Sequence, residues 1–303
     1  MTKHSFGGPW TYIKLELLER YLTFFNTALQ RRPTPESPFS RVYIDAFAGT
    51  GECEIKLPNG TLSTIRGSAR IAIETSPAFN QVHLIDLKAK HVAELQALAA
   101  SQAQTTVIVH KQDANLALQA ILSKLNWRNT RGVLFLDPYG MHVQWSTLER
   151  IAATRALDVW YLFPLSGVYR QAAKDFTKVD ESKAASLDSV LGTTTWRQAF
   201  YEQPAQRSCL EDNGPAIRTS GPAQIATFVH TRLSELFKGW VSEPIFLPEN
   251  GPPIFALFFA VSNPSDVAIT LSKKGADHLF SMLKNKKIGK SLNSIEHNQK
   301  NLF

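Results

Sequence analysis

Cysteine is scarce in this chain: Cys53 and Cys209 are the two in 303 residues. That is too few for a disulfide framework or a structural zinc site, so no metal is assigned and both are expected as reduced thiols. Long hydrophobic runs are missing as well. No stretch approaches the ~18–20 apolar residues of a membrane span, and the opening MTKHSFGGPW has no apolar core of a secretory signal. The expectation is a cytoplasmic protein with no membrane partner. Internal repeats and low-complexity segments are also absent. What is present, 44% hydrophobic against 19% charged residues, excludes general disorder and supplies one large α/β domain, or one domain with an insertion.

Charge is uneven. The formal balance is +7, and the tail from Lys273 onward holds +5 of it, with seven lysines (Lys273, Lys274, Lys284, Lys286, Lys287, Lys290, Lys300) against Asp277 and Glu296. Such a run reads either as a surface for phosphates, since charge neutralisation releases counterions, or as a solvated helix face with a frayed end.

Periodicity organises the rest. Apolar residues at Ile13, Leu15, Leu17, Leu18, Tyr21, Leu22, Phe25 and Leu29 predict a helix from Trp10 to Leu29, followed by a proline-containing linker to about residue 40. Five short apolar runs, RVYIDAF, QVHLIDL, TTVIVH, GVLFLDP and LDVWYLF, then alternate with helical segments. Val-, Ile- and Leu-rich strands separated by helices predict a doubly wound, mostly parallel Rossmann-like sheet over residues 41–164, of about seven strands in all. The alternation stops after Phe163. Residues 165–221 read as a helical insertion without a strand and a candidate substrate cover; 222–270 as a closing helix with edge strands; 271–303 as the lysine-rich tail.

The stretch VYIDAFAGTGECEI, residues 42–55, ends an apolar run in an acid and follows it with two glycines. In doubly wound sheets ligands bind at the carboxyl ends of strands, where the loop after the first strand meets a helix N-terminus. Gly49 and Gly51 let backbone approach a ligand. A dinucleotide fingerprint begun at Gly49 requires a third glycine where Glu54 stands, which weakens a nicotinamide oxidoreductase reading. Asp45 before Phe47, Gly49 and Gly51 suits a ligand with a cationic or amino-bearing portion, such as S-adenosylmethionine. An ordinary strand-to-helix turn is the alternative.

IDAFAGTG resembles the first motif of class I S-adenosylmethionine-dependent methyltransferases. Together with PWTYIKLELLERYL, RGSARIAIE, HLIDL, FLDPYGM and LGTTTWRQAFYE, it makes the chain similar to the three-Cys-motif partner proteins of that class from Trp10 to about Asn263. The family takes its name from genes found beside its members, so the resemblance implies a three-Cys-motif protein encoded nearby as a partner.

Further positions join the site. Asp86, ending HLIDL, is placed to accept ribose hydroxyls, or to cap the following helix. The resemblance implies that Asp113 accepts from the adenine amino group; a cap or turn is the alternative. FLDPYG carries Asp137, Pro138 and Tyr139 and resembles the acid-Pro-Pro-aromatic motif of amino-methyltransferases, departing from it at Tyr139-Gly140 toward the Asp-Pro-aromatic-Gly form of some guanosine-amine tRNA methyltransferases. There the acid orients an amine toward the sulfonium methyl and the aromatic stacks the base; a strand-ending turn is the bland counterpart. Weaker candidates are His142 as proton acceptor, Cys53 as a small buried thiol, and Arg66 and Arg170 as phosphate contacts or snorkelling side chains. The function expected is N-methylation of a nucleic-acid base, against a non-catalytic platform on the same fold.

Overall fold

The computed structural model describes residues 9–56, 61–102, 105–202, 215–248 and 251–285. In chain order its elements begin with α1 (Pro9–Leu29), β1 (Ser40–Asp45), β2 (Glu52–Lys56), β3 (Leu62–Arg66), α2 (Ser68–Glu74), β4 (Gln81–Asp86), α3 (Ala89–Ala100) and β5 (Thr106–Lys111). Then come α4 (Ala114–Lys124), β6 (Thr130–Leu136), α5 (Trp145–Ala153), β7 (Leu157–Phe163), α6 (Leu165–Gln171), α7 (Glu181–Leu191), α8 (Trp196–Phe200), β8 (Tyr201–Glu202) and β9 (Ile217–Arg218). α9 (Pro222–Leu236), β10 (Trp240–Val241), β11 (Ile245–Leu247), β12 (Phe255–Val261) and α10 (Asp266–Lys284) complete the order.

The main sheet runs β10-β12-β7-β6-β1-β4-β5, with β11 also paired to β12. β7, β6, β1, β4 and β5 are parallel, while β12 lies antiparallel to β7. β10 and β11 both pair with β12, so they form one interrupted edge strand. This is the Rossmann-like doubly wound class expected from the sequence, and its strand order reverses at β1. Side-chain alternation then divides the core. Val42 and Ile44 of β1 face the cluster built with α4, α5 and α9, whereas Tyr43 faces the one built with α1, α2, α3 and α10. α1 joins the second layer because Leu15, Leu18, Leu22, Phe25 and Leu29 recur at helical spacing and are all buried.

Two local differences from the sequence reading have physical reasons. The segment after Phe163 does hold strands, the two-residue antiparallel pair β8 and β9; two residues are too few for alternation to register. Its helices share the main core through Leu187, Val190, Leu191, Trp196 and Phe200. The second difference bears on the site. The loop after β1 leads into the β2–β3 hairpin, and a helix begins only at Ser68, after Gly67 N–H donates to Gly51 O (2.8 Å). The alternation Glu52-Cys53-Glu54-Ile55 with an Asn59-Gly60 pair ahead of Leu62 is the sequence signal for such a hairpin.

Among the described residues no helix is long and apolar enough to cross a membrane. Of the tail lysines, Lys273, Lys274 and Lys284 lie on α10, with the Lys273 ammonium 5.4 Å from the centre of the Trp240 ring. Lys286, Lys287, Lys290 and Lys300 lie outside the described residues, as does Cys209.

Candidate active site

Three carboxylates mark the carboxyl ends of neighbouring strands: Asp45 on β1, Asp86 on β4 and Asp137 just beyond β6. They differ in what they touch. Asp45 is fully buried beneath the loop. Its Oδ1 accepts from Phe47 N–H (3.2 Å) and its Oδ2 from the Tyr43 hydroxyl (3.2 Å). Burial pushes its carboxyl up to about 6; the Ser68 hydroxyl and Phe47 amide oppose that rise, and the charge of Asp137 adds to it. Asp45 therefore faces no cavity among the described residues and holds the loop above it.

Asp86 is the second anchor of that loop. Gly49 N–H (3.1 Å) and His91 Nδ1 (3.0 Å) reach its Oδ2, and Lys88 N–H (2.8 Å) donates to Oδ1. Ionised carboxylates have about four lone-pair sites, so Oδ1 retains capacity for one further donor. Asp113 is the N-cap of α4, its Oδ1 accepting from Asn115 N–H (2.9 Å) and Leu116 N–H (3.2 Å). The capping alternative is thus real, and it leaves Oδ2 without a hydrogen bond among the described residues.

Phe47, Asp86, Asp113 and Tyr139 come together around one cavity of about 180 Å³, joined by Lys88 and His142. Small-molecule clefts usually enclose ~300–1,000 Å³, so this one is too small to enclose a whole molecule of cofactor size. Tyr139 is 56% exposed, with the Lys88 ammonium 5.3 Å from its ring centre. Its phenol is pushed up to about 12, by burial first and by Asp86 and Asp137 next. Asp45, Gly49, Gly51, Asp137 and Pro138 do not line the cavity. A larger groove, about 940 Å³, runs between α1 and α10. It carries none of this chemistry and flanks the helices, away from the strand ends.

The two glycines divide their work. Gly49 (φ +63°) faces open space where a Cβ would stand, whereas a Cβ on Gly51 (φ +82°) would sit 2.9 Å from Leu98 Cδ2 of α3. Gly49 borders open space; the space beside Gly51 is filled by the protein itself.

Sequence reasoning overlooked two residues here. The Lys14 ammonium of α1 pairs with Asp137 Oδ2, their side chains being 12% and 21% exposed. Lys14 stands one, two and three turns before the buried Leu18, Tyr21 and Phe25, and a lysine on an apolar stripe was the available signal. Asn115 is the other. Its amide donates to His142 O (2.9 Å) while its Oδ1 accepts from Gln144 N–H (3.0 Å) and Thr147 Oγ1 (2.8 Å), tying the loop after β6 to α4. No local sequence signal marks that staple. Cys53 is half-buried on β2, its thiol pushed up by burial, with Lys14 opposing. Arg66 pairs with Glu19 (2.7 Å) and Glu74 (3.2 Å), and Arg170 is exposed on α6.

No family model matches the chain, and no curated protein matches it. Solved structures are similar to it only distantly. A Legionella pneumophila protein of the family model DUF519 has 15% identity over 86% of this chain and 90% of its own, with a TM-score of 0.48. An rRNA methylase from Streptococcus thermophilus has 12% identity over 86% and 98%, TM-score 0.31. The N-methyltransferase NodS from Bradyrhizobium japonicum has 8% identity over 69% and 97%, TM-score 0.30. Likeness of this order carries no argument about activity.

Proposed function

We propose that this chain is an S-adenosylmethionine-dependent methyltransferase of the three-Cys-motif partner type, acting on a nitrogen of a nucleic-acid base. One observation carries the cofactor reading: the glycine loop after β1 runs into a hairpin and not into a helix, and the groups around it are mainly acidic. A pyrophosphate needs the positive end of a helix there, so a dinucleotide lacks its anchor. A sulfonium with an amino group and a ribose instead meets Asp86 and Asp113, with only Lys88 opposing them in the cavity.

When bound, the cofactor supplies an electrophilic methyl group. The chain's own residues then bind and aim. Asp45 and Asp86 hold the loop through Phe47 and Gly49. The open lone pair of Asp86 takes a ribose hydroxyl, and Asp113 Oδ2 takes the adenine amine. Tyr139 offers a stacking face for the acceptor base, and Asp137 accepts from the amine whose lone pair must point at the methyl. Helices α6, α7 and α8 cover the acceptor. The +7 charge of the chain favours a polyanionic substrate.

The Lys14–Asp137 pair favours a second reading, a non-catalytic platform, because an ammonium already holds the carboxylate assigned to the amine. Equilibrium binding of S-adenosylmethionine against NAD, followed by transfer of labelled methyl groups to RNA, DNA and protein pools, separates these. Tight binding of the first ligand with label in nucleic acid is the expected result. Binding without transfer to any pool selects the platform, and preference for NAD removes the proposal.

A further inference from the structure

At the other end of the sheet, beneath the amino ends of β6 and β7, lies a cavity of about 290 Å³ that the proposed function does not use. Its walls are largely apolar, from Phe24, Phe25 and Leu29 of α1 and Leu271 of α10. Two opposite charges enter it. Asp158 is only 7% exposed, and both hydrogen bonds it receives, from Tyr21 OH (2.6 Å) and Ser272 Oγ (3.0 Å), go to Oδ2. Its Oδ1 has no hydrogen bond among the described residues. Arg131 is fixed by stacking over Phe39 (4.1 Å) and by donating from Nη1 to Thr130 O (2.8 Å) and Trp127 O (3.0 Å). Its Nε and Nη2 have no hydrogen bond among the described residues. Asp158 and Arg131 influence each other through space without a hydrogen bond between them.

Buried charges are ordinarily paired, because an unpaired one forfeits its hydration. A carboxylate and a guanidinium that share an apolar cavity, unbonded to each other, complement a molecule carrying both signs. We infer that this cavity binds a small zwitterion, an α-amino acid with an apolar side chain, its ammonium on Asp158 Oδ1 and its carboxylate toward Arg131. The size agrees: 290 Å³ is near the lower limit of ~300 Å³ for small-molecule clefts. Arg32, exposed at the surface, also lines the cavity and adds positive charge to it. The site joins α1, which carries Lys14, to α10 and the start of β7, so an occupant would brace the helix that reaches the proposed active site.

The test is calorimetric titration of the full chain with L-valine, L-leucine, L-methionine and L-phenylalanine. Phenethylamine, which lacks the carboxylate, and 3-phenylpropanoate, which lacks the amine, serve as comparators. At least one amino acid should bind, with the comparators at least tenfold weaker. Asp158→Asn, which keeps an acceptor for Tyr21 and Ser272, should remain folded by circular dichroism and bind at least tenfold more weakly. Ala268→Phe, which fills the cavity, should abolish binding. Absence of binding by all four amino acids at millimolar concentration overturns the inference, as does unchanged affinity in Asp158→Asn. Equal affinity for phenethylamine overturns the role of Arg131.

Discussion

Asp45 and Asp158 stand at opposite ends of one sheet, both buried, and burial pushes both carboxyls up to about 6. Their partners differ. Asp45 is held by the backbone two residues on and by Tyr43 two residues before, a different oxygen serving each, and by the Ser68 hydroxyl at the start of α2. Asp158 is held on one oxygen by Tyr21 and Ser272, 137 and 114 residues away in sequence. The first acid shapes a loop with its own segment and the start of α2. The second is assembled by α1, β7 and α10 and keeps an oxygen for something else. Burial thus raises both carboxyls while leaving them different capacities for binding.

The largest expected effect probes how far the loop end depends on bare backbone. Gly51→Val should destabilise by about 2–5 kcal/mol, since it combines a positive φ with a clash against Leu98. Gly49→Ala, with strain but no clash, should cost about 1–2 kcal/mol. Thermal melts compare the two, and equal losses would erase the distinction between them.

Next in size is chemistry at the carboxyl end. Asp137→Ala should retain S-adenosylmethionine affinity and lose methyl transfer on the order of 100-fold, as misplacement of a reacting group by about 1 Å does. Undiminished turnover on the identified substrate would release Asp137 from its role.

The comparison itself is sharpened by amide substitutions. A carboxyl held at about 6 against an ordinary 3.8 disfavours folding as pH rises from about 4 through 6, because the unfolded chain gives up its proton first. That penalty is absent below pH 4 and complete above 6, where it amounts to at most roughly 3 kcal/mol. Asp158→Asn should therefore stabilise the fold by about 1–3 kcal/mol at pH 7 and by nothing at pH 3.5. Asp45→Asn should gain less, since an amide has one acceptor oxygen where Phe47 N–H and Tyr43 OH use two. Urea melts at the two pH values decide it; equal gains would show that the partner geometry is immaterial.

The smallest effect concerns the link between α1 and the site. Lys14→Met should cost about 1–2 kcal/mol, below the ~3–5 kcal/mol of a fully buried pair because the Asp137 side chain keeps 21% exposure. Chemical denaturation measures the loss, and a gain in stability would mark the pair as held at a cost.

Much of the architecture was legible because it is periodic. Val, Ile and Leu at the five parallel strands and the stripe from Leu15 to Leu29 each announce an element from their own spacing. The β2–β3 hairpin was overlooked despite its alternation, since the glycines before it drew the reading toward a helix. Pairings across the fold had no such signal: Lys14 with Asp137 spans 123 positions, and the Asn115 staple joins one loop to another. Phe47, Asp86, Asp113 and Tyr139 were picked out singly, each at a strand end; that they border one cavity is a matter of strand order.

By itself the sequence determined the doubly wound class, the acid-then-glycine loop and the acids at the strand ends, because periodicity and turn chemistry act over a few residues. The tertiary structure alone decided which glycine stays open, that Lys14 reaches Asp137, and that Asp158 and Arg131 enter the same cavity without pairing. Those facts depend on how α1 and α10 pack across the sheet, where contacts between distant segments are set by shape and burial and leave no local pattern in the chain.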